Sequence, residues 1–146
     1  MKRCVFAFII LISSLISKAQ DEITLFNEDG ECIAYIDTED DDLPIFLWDG
    51  TPVAFIERED GVMNVFGFNG VHLGWIDKSI FYNHDGEIVA KTKEAMGTVS
   101  SIEPYKSMKQ ITPITPITSF APHTPNFSSF WADESFKLFL LKGLDD

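Results

Sequence analysis

Two stretches of the chain, FLWDGTPVAFIE at residues 46–57 and FGFNGVHLGWID at residues 66–77, share one layout. In each, an Asp-Gly or Asn-Gly pair separates two runs of apolar residues. Such a pair is a strong β-hairpin signal, because both central residues of a type I′ turn need a positive φ that Gly, Asn and Asp tolerate. We therefore predict a two-residue turn at each pair, with a hairpin around it.

The same layout surrounds two further glycines, so the pattern is a repeat with glycine spacings of 20, 20 and 16 residues. An aromatic residue stands four positions before each glycine. In a two-residue turn it would face the residue three after the glycine, which pairs Phe46 with Val53. The predicted turns are Asp29-Gly30, Asp49-Gly50, Asn69-Gly70 and Asp85-Gly86, and the aromatic residues are Phe26, Phe46, Phe66 and Tyr82.

Both faces of each predicted hairpin are apolar, so each face needs a cover. A small residue recurs four positions after each glycine, where backbones would crowd together. We therefore predict an all-β body of four β-hairpin repeats that converge around a pseudo-fourfold axis, with the aromatic faces packed on neighbouring hairpins. The recurring small residues are Ala34, Ala54, Gly74 and Ala90.

These strings, together with FYNHDGEIVA at residues 81–90, resemble the 4-fold β-flower family of small exported bacterial proteins. The resemblance covers residues 22–96. It implies four hairpins around a central axis, and it brings no established activity and no catalytic residue.

The N-terminus predicts export. Two basic residues precede a short apolar run, and Ser17-Lys18-Ala19 fits the small-x-small rule for cleavage after Ala19. The apolar run is shorter than the roughly 20 residues that a membrane span needs. We therefore expect a signal peptide at residues 1–19, a mature chain without a transmembrane segment, and a periplasmic, cell-surface or secreted location.

Charge narrows the range of partners. The chain carries 23 acidic and 11 basic residues, a formal net charge of −12. Loss of the signal peptide would remove three basic residues and no acidic one. A protein this acidic is repelled by phosphate backbones, so we do not expect nucleic acid as a partner.

The predicted organisation after the signal peptide is a four-hairpin domain at residues 20–96, a Pro/Thr/Ser-rich linker at 97–128 and an amphipathic C-terminal helix at 129–146. Extended, proline-containing segments favour a mobile spacer, and a ligand for a proline-reading module is the alternative. The helix has one apolar face, which either folds back on the hairpins, the arrangement we favour, or binds another chain.

Few residues suggest chemistry. The sequence lacks the common hydrolase, zinc and phosphate-binding motifs, and its three histidines look isolated. His84 adjoins Asp85, but that acid is already needed by its turn. The acidic run at residues 37–42 resembles a calcium loop, yet it lacks the glycine and the distant glutamate. We therefore predict no catalytic residue, no metal site and no cofactor.

Residues two positions before each turn glycine are the candidate binding surface, since they lie near the hairpin tips. The predicted function is a non-catalytic exported interaction or structural module. One alternative is a cell-surface glycan-binding repeat protein, and a second, weaker one is a metal-dependent hydrolase that uses the acidic run. The sequence leaves the protein or glycan partner and the oligomeric state open. The surface residues are Glu28, Trp48, Phe68 and His84.

Overall fold

The computed structural model describes residues 22–97 and 102–144, and the predicted signal peptide lies outside these residues. The described part forms eight strands and two short helices. The strands are β1 (Glu22–Phe26), β2 (Cys32–Asp37), β3 (Pro44–Leu47), β4 (Pro52–Glu59), β5 (Val62–Gly67), β6 (His72–Asp77), β7 (Ile80–Tyr82) and β8 (Ile88–Thr92), and the helices are α1 (Lys93–Met96) and α2 (Phe136–Leu141).

Each strand pairs antiparallel with the next along the chain, and β8 pairs with β1, so the sheet closes into a barrel. The predicted all-β class is confirmed. Closure leaves no sheet edge open to pair with another chain. The four connections that contain the predicted turn glycines all lie at one end of the barrel, because consecutive strands alternate in direction.

The predicted turn type is wrong at these four connections. Among the described residues, the glycine of each pair has a positive φ, between 75° and 89°, whereas the preceding Asp or Asn does not. In the first connection Gly30 N donates to Asn27 O at 3.0 Å, and Asn27 N donates to Glu31 O at 3.1 Å. This is a three-residue loop, in which a type I turn is followed by a left-handed residue. Only the glycine therefore needs its conformational freedom.

The longer loop moves the register by one residue. The aromatic residue four before each glycine pairs with the residue two after it, so Phe46 faces Pro52 and not Val53. Val53 becomes an extra residue in a β-bulge, while the next pair, Ile45 with Ala54, is the one predicted. The same shift occurs in the other three hairpins.

Type I′ geometry occurs instead in two connections at the other end of the barrel. Asp60 and Gly61 have φ values of 50° and 80°, and Lys78 and Ser79 have 47° and 66°. Asp60-Gly61 is the one Asp-Gly pair in the body that the repeat did not use.

The barrel interior forms one apolar core, because alternate side chains of each strand point inward. The predicted small residues lie in the interior, and Ala34, Ala54 and Ala90 are completely buried. A Cβ added to Gly74 would lie 2.0 Å from Tyr82 O, so this site requires glycine. The predicted crowding of backbones is therefore present at Gly74.

Helix α2 completes the core from the end where the turn glycines lie. Its side chains Phe136, Phe139 and Leu140 are buried among the inward-facing residues of the strands. The helix is shorter than predicted, because the chain that precedes it pairs with β8. It begins after Ser135, whose side-chain oxygen accepts a hydrogen bond from Leu138 N. The favoured prediction that the apolar helical face folds back on the hairpins is confirmed.

The outward-facing aromatic side chains of the strands are also buried. Part of their cover comes from neighbouring strands, as predicted: Tyr35 stacks on Phe46, and Phe55 stacks on Phe66. The rest comes from the segment that follows the barrel, which is where the candidate site lies.

Candidate functional site

Residues 102–128, which we call the belt, lie along the outside of the barrel. The spacer prediction is wrong for this segment, because its backbone is bonded to three of the turns. Gln110 N donates to Gly50 O at 2.9 Å, Ser119 N to Gly70 O at 2.9 Å, and Ser128 N to Gly86 O at 2.8 Å. These three anchors are nine residues apart in the belt and bind successive hairpins of the barrel.

The anchors give the turn glycines a second role. The belt backbone approaches so closely that a Cβ on Gly50 would lie 2.0 Å from Met108 O, and one on Gly86 would lie 2.4 Å from Asn126 O. Such contacts with backbone atoms cannot be relieved by a change of rotamer. Glycine is therefore needed both for the turn and for the bound belt.

Two lysines hold the first part of the belt. Lys109 Nζ lies 2.8 Å from Asp37 Oδ2 and 3.0 Å from Glu22 Oε1, and Lys106 also pairs with Glu22. Burial opposes the charge of Lys109, but its hydrogen bonds to the two carboxylates outweigh that cost and raise its pKa. Lys106 Nζ lies 4.4 Å from the ring centroid of Tyr35, a cation–π contact.

An aromatic side chain holds the last part of the belt. The ring of Phe127 stacks on Tyr82 with centroids 4.1 Å apart and also contacts Trp75. The separation of Lys109 and Phe127 along the belt is twice the nine-residue spacing of the anchors. Each of these two side chains covers outward-facing aromatic rings. The belt therefore buries the aromatic surface that the strands leave uncovered.

The four predicted surface residues lie on four different turns at the same end of the barrel. Trp48 is half-buried, donates from Nε1 to Pro104 O at 3.1 Å and packs edge-on against Tyr35. Phe68 is half-buried against Phe55, with centroids 5.5 Å apart. Glu28 is exposed. The two aromatic residues thus serve intramolecular packing.

The fourth predicted residue, His84, belongs to a polar pair that the sequence did not reveal. Its Nε2 lies 2.9 Å from Nδ1 of His72, and the ring planes differ by 8°. On the other side of the buried His72 ring, Nε2 lies 3.0 Å from Asn64 Oδ1. The prediction of isolated histidines is wrong, because β6 and β7 are adjacent and bring the two rings together at the same end of the barrel.

The hydrogen bonds of this pair determine which ring nitrogen of each histidine carries a proton. Because Asn64 Oδ1 accepts from His72 Nε2, His72 Nδ1 is left to accept from His84 Nε2. Burial, together with the neighbouring His84, lowers the pKa of His72 to about 4. The described hydrogen bonds bring no carboxylate, hydroxyl or thiol to a ring nitrogen of either histidine. His72 is the buried member of the pair and contacts Phe66, whereas His84 is exposed and contacts Trp75.

The acidic run is a solvent-facing loop with local hydrogen bonds. Asp37 Oδ1 accepts from Glu39 N, and Asp40 Oδ1 accepts from Asp42 N, each at 3.0 Å. Asp37 also pairs with Lys109, and Asp42 accepts from the Thr115 hydroxyl of the belt. Within residues 22–97 and 102–144, no group of three or more potential metal ligands comes together.

The outer side of the belt carries an unusual surface. From residue 102 to residue 120, every third residue has an apolar side chain. Each of these seven side chains is at least 90% exposed. A spacing of three residues is the repeat of a polyproline II helix, and all seven side chains face solvent. We call this set the ridge: Ile102, Tyr105, Met108, Ile111, Ile114, Ile117 and Phe120.

The fold is thus a closed eight-stranded antiparallel barrel, with a helix in its core and a belt on its outside. The chain belongs to the 4-fold beta flower protein family, which matches residues 23–140. The match includes the belt and most of α2, so the family extends beyond the hairpins on which the resemblance was based. Comparisons with curated proteins and with solved structures found no match. Among the described residues, no helix is long and apolar enough to cross a bilayer.

Sequence reasoning missed the belt and the ridge, although the sequence contains signals for both. The string ITPITPITS at residues 111–119 shows the three-residue period directly. The nine-residue spacing of the anchors has no such sign, because the anchoring groups are backbone atoms that any residue except proline supplies.

Proposed function

We propose that this protein is an exported, non-catalytic interaction module, and that the ridge on its belt is the contact surface. The observation that carries the proposal is the exposure of seven apolar side chains that recur at every third residue of the belt. Single exposed apolar residues are ordinary, but a contiguous apolar patch is typical of an interaction site.

The size of the ridge supports this function. At roughly 100 Å² for each aliphatic side chain and 150–250 Å² for each aromatic one, the seven present about 900 Å² of apolar surface. The largest apolar patch on a typical monomer is about 300–600 Å². Burying the outward-facing strand aromatics does not explain the ridge, since its side chains point away from the barrel.

The architecture supports a structural role for the rest of the molecule. We propose that the four hairpins are related by a pseudo-fourfold axis, since the same loop geometry recurs at four glycines and the belt meets three of the hairpins at equal spacing. The barrel then acts as a rigid frame that holds the belt extended. A pre-extended belt loses little conformational entropy when the ridge is covered.

The chemistry of the described side chains also favours binding over catalysis. The paired His72 is 3% exposed and has a lowered pKa, and the tip residues Trp48 and Phe68 contact the barrel or the belt. The binding surface predicted from the sequence lies at the hairpin tips, and the packing of these two aromatic residues leaves the ridge as the stronger candidate. The N-terminal sequence pattern supports export.

Site-specific photocrosslinking in the exporting cell tests the proposal. A photoreactive phenylalanine analogue at Ile114, on the ridge, should give discrete adducts of higher mass on irradiation. The same analogue at Lys137, an exposed residue of α2 outside the belt, is the matched control and should give none. Absence of adducts from Ile114, or equal adducts from both positions, would overturn the proposal.

A second measurement tests whether the ridge is free in the folded protein. Replacing Ile111, Ile114 and Ile117 together with Ser should markedly reduce retention on a phenyl-substituted column. The melting temperature should change little, because exposed side chains contribute little to stability. The variant Thr112→Ser/Thr118→Ser, on the partly buried side of the belt, should be retained like the wild type. Retention that does not depend on the three isoleucines would place the apolar surface elsewhere.

A further inference from the structure

The outer face of the barrel has a cavity that the proposed function does not use. Its volume is about 310 Å³, and it lies between the strands β4–β6 and the end of the belt. We propose that this cavity binds a neutral saccharide, and that the indole N–H of Trp75 donates a hydrogen bond to a hydroxyl group of this ligand. The barrel lines the cavity with Glu59, Asp60, Val62, Asn64 and Trp75, and the belt lines it with residues 120–124.

The indole N–H of Trp75 is the observation that points to a ligand. Trp75 is 1% exposed, and its Nε1 forms no hydrogen bond with any of the described residues. A buried donor without an acceptor is costly, so nearly all buried donors in folded proteins are paired. Because the Trp75 ring lines the cavity, we infer that a molecule in the cavity supplies the acceptor.

The first segment of the belt shows how the same place is filled elsewhere in the molecule. Lys106 Nζ lies 4.4 Å from the ring centroid of Tyr35 and pairs with Glu22. The side chain of Lys106 therefore occupies the space between this part of the belt and the outward-facing ring.

The third hairpin has shorter side chains at the corresponding positions. Two hairpin repeats further along the barrel, Trp75 corresponds to Tyr35, and Val62 corresponds to Glu22. Two nine-residue steps further along the belt, Thr124 corresponds to Lys106. Val62 and Thr124 both line the cavity. The cavity is thus the space that a longer belt side chain fills in the first segment.

The middle hairpin supplies an internal control. It has a similar cavity of about 460 Å³, which Phe55 and Thr115 line. Thr115 donates to Asp42 at 2.9 Å, in the place of the pair between Lys106 and Glu22, so the correspondence holds along the belt. The ring of Phe55 has no N–H, and this second cavity therefore lacks the unpaired donor.

Charge and hydrogen-bonding capacity define the ligand. Glu59 and Asp60 line the cavity without any Lys or Arg, so an anionic acceptor would be repelled. A hydroxyl group suits the site, because it can accept from the indole and donate to a carboxylate. Val62 and Pro122 offer apolar contacts to the C–H groups of a sugar ring. The volume is at the lower end of the roughly 300–1,000 Å³ of small-molecule sites, which favours a short saccharide.

An NMR titration of the purified protein with glucose, galactose, mannose or xylose at millimolar concentrations tests the proposal. The chain has three tryptophans, so sequential assignment identifies the indole N–H signal of Trp75. At least one sugar should shift this signal until it saturates and leave the signal of Trp131 unchanged. The absence of a saturable shift with all four sugars would overturn the proposal.

Filling the cavity tests the location of the site. Thr124→Lys should weaken sugar binding at least about tenfold, because the longer side chain takes the space that Lys106 takes in the first segment. Thr115→Lys fills the middle cavity instead and should bind the sugar like the wild type. Thr115 and Thr124 are both exposed, so the melting temperatures should change little. Wild-type affinity in a folded Thr124→Lys variant would overturn the proposed location.

Acetamide separates a saccharide from a peptide ligand. A primary amide also combines an acceptor with a donor, so an amide side chain of a peptide is the main competing ligand. A larger shift of the Trp75 signal with acetamide than with any of the sugars, at equal concentration, would overturn the saccharide proposal. The ridge is tested separately, because crosslinking from Ile114 does not depend on this cavity.

Discussion

The barrel and the belt are both rich in apolar residues, but the barrel buries most of them and the belt exposes those of the ridge. Barrel strands alternate with a period of two residues, and both faces are buried, one in the core and one under rings or belt. The belt has a period of three, holds the barrel through backbone amides and lysines, and leaves the seven ridge side chains in solvent. Among the described residues, the large apolar side chains that are at least 90% exposed all lie on the ridge, whereas the strands bury most of theirs.

The largest loss of stability is expected from a substitution in the core, where α2 meets the strands. Phe139 is 1% exposed, and Phe139→Ala should lower the free energy of unfolding by about 3–5 kcal/mol through loss of burial and formation of a cavity. Urea denaturation measures it. Leu138→Ala on the same helix is the control, since Leu138 is 60% exposed, and a comparable loss there would mean that α2 is not part of the core.

A nearly equal effect is expected where two strands approach most closely. Gly74→Ala places a Cβ 2.0 Å from Tyr82 O, a backbone atom, so the strands must separate. We expect a loss of about 3 kcal/mol from overpacking, measured by thermal or urea unfolding. A variant as stable as the wild type would show that the barrel does not require this close approach.

Acidification should lower the free energy of unfolding, because the His72 ring is buried where the belt meets the barrel and resists protonation. Its amide donates to the Ser119 hydroxyl at 3.3 Å, and the pKa of its ring is lowered to about 4 from the usual 6.5. Between these values the unfolded chain binds more protons than the folded one, so stability falls as the pH falls from about 6.5 to 4. From pH 7 to pH 5 we expect a loss of about 2 kcal/mol.

The variant His72→Gln should flatten this part of the pH profile. The Glu22 and Asp37 carboxylates are partly buried, which opposes their charge, but their hydrogen bonds to belt lysines outweigh burial and lower their pKa values. Their contribution is lost only at lower pH, as they protonate. An unchanged slope between pH 6.5 and 4 in His72→Gln would assign the effect to other groups.

The smallest loss of stability is expected from two glycine substitutions whose comparison separates the anchoring of the belt from the strain of the turn. Gly50 and Gly61 both have a positive φ, of 89° and 80°, but only Gly50 faces the belt backbone. Gly61→Ala should therefore cost about 1 kcal/mol of left-handed strain, whereas Gly50→Ala should cost about 1–2 kcal/mol more. Thermal melts of the two variants compare them directly. Equal costs would mean that the anchor at Gly50 contributes no stability.

The sequence by itself determined the strands and, for the inward-facing residues, their partners within each hairpin. The Asp-Gly and Asn-Gly pairs mark chain reversals, and alternation of apolar residues sets which pairs face each other, so Ile45–Ala54 and Val65–Gly74 were predicted correctly. The turn type and the bulge were not, because a two-residue and a three-residue loop with the same Asp-Gly pair differ only in the φ of the acid.

The tertiary structure decided what covers the outer face of the barrel, and therefore what remains exposed. Proline and threonine indicate an extended segment, but they do not show whether backbone amides such as that of Ser119 bond to solvent or to a turn. The His72–His84 contact likewise follows from the pairing of two strands. Local sequence specifies backbone conformation through sterics, whereas burial depends on which distant segments meet.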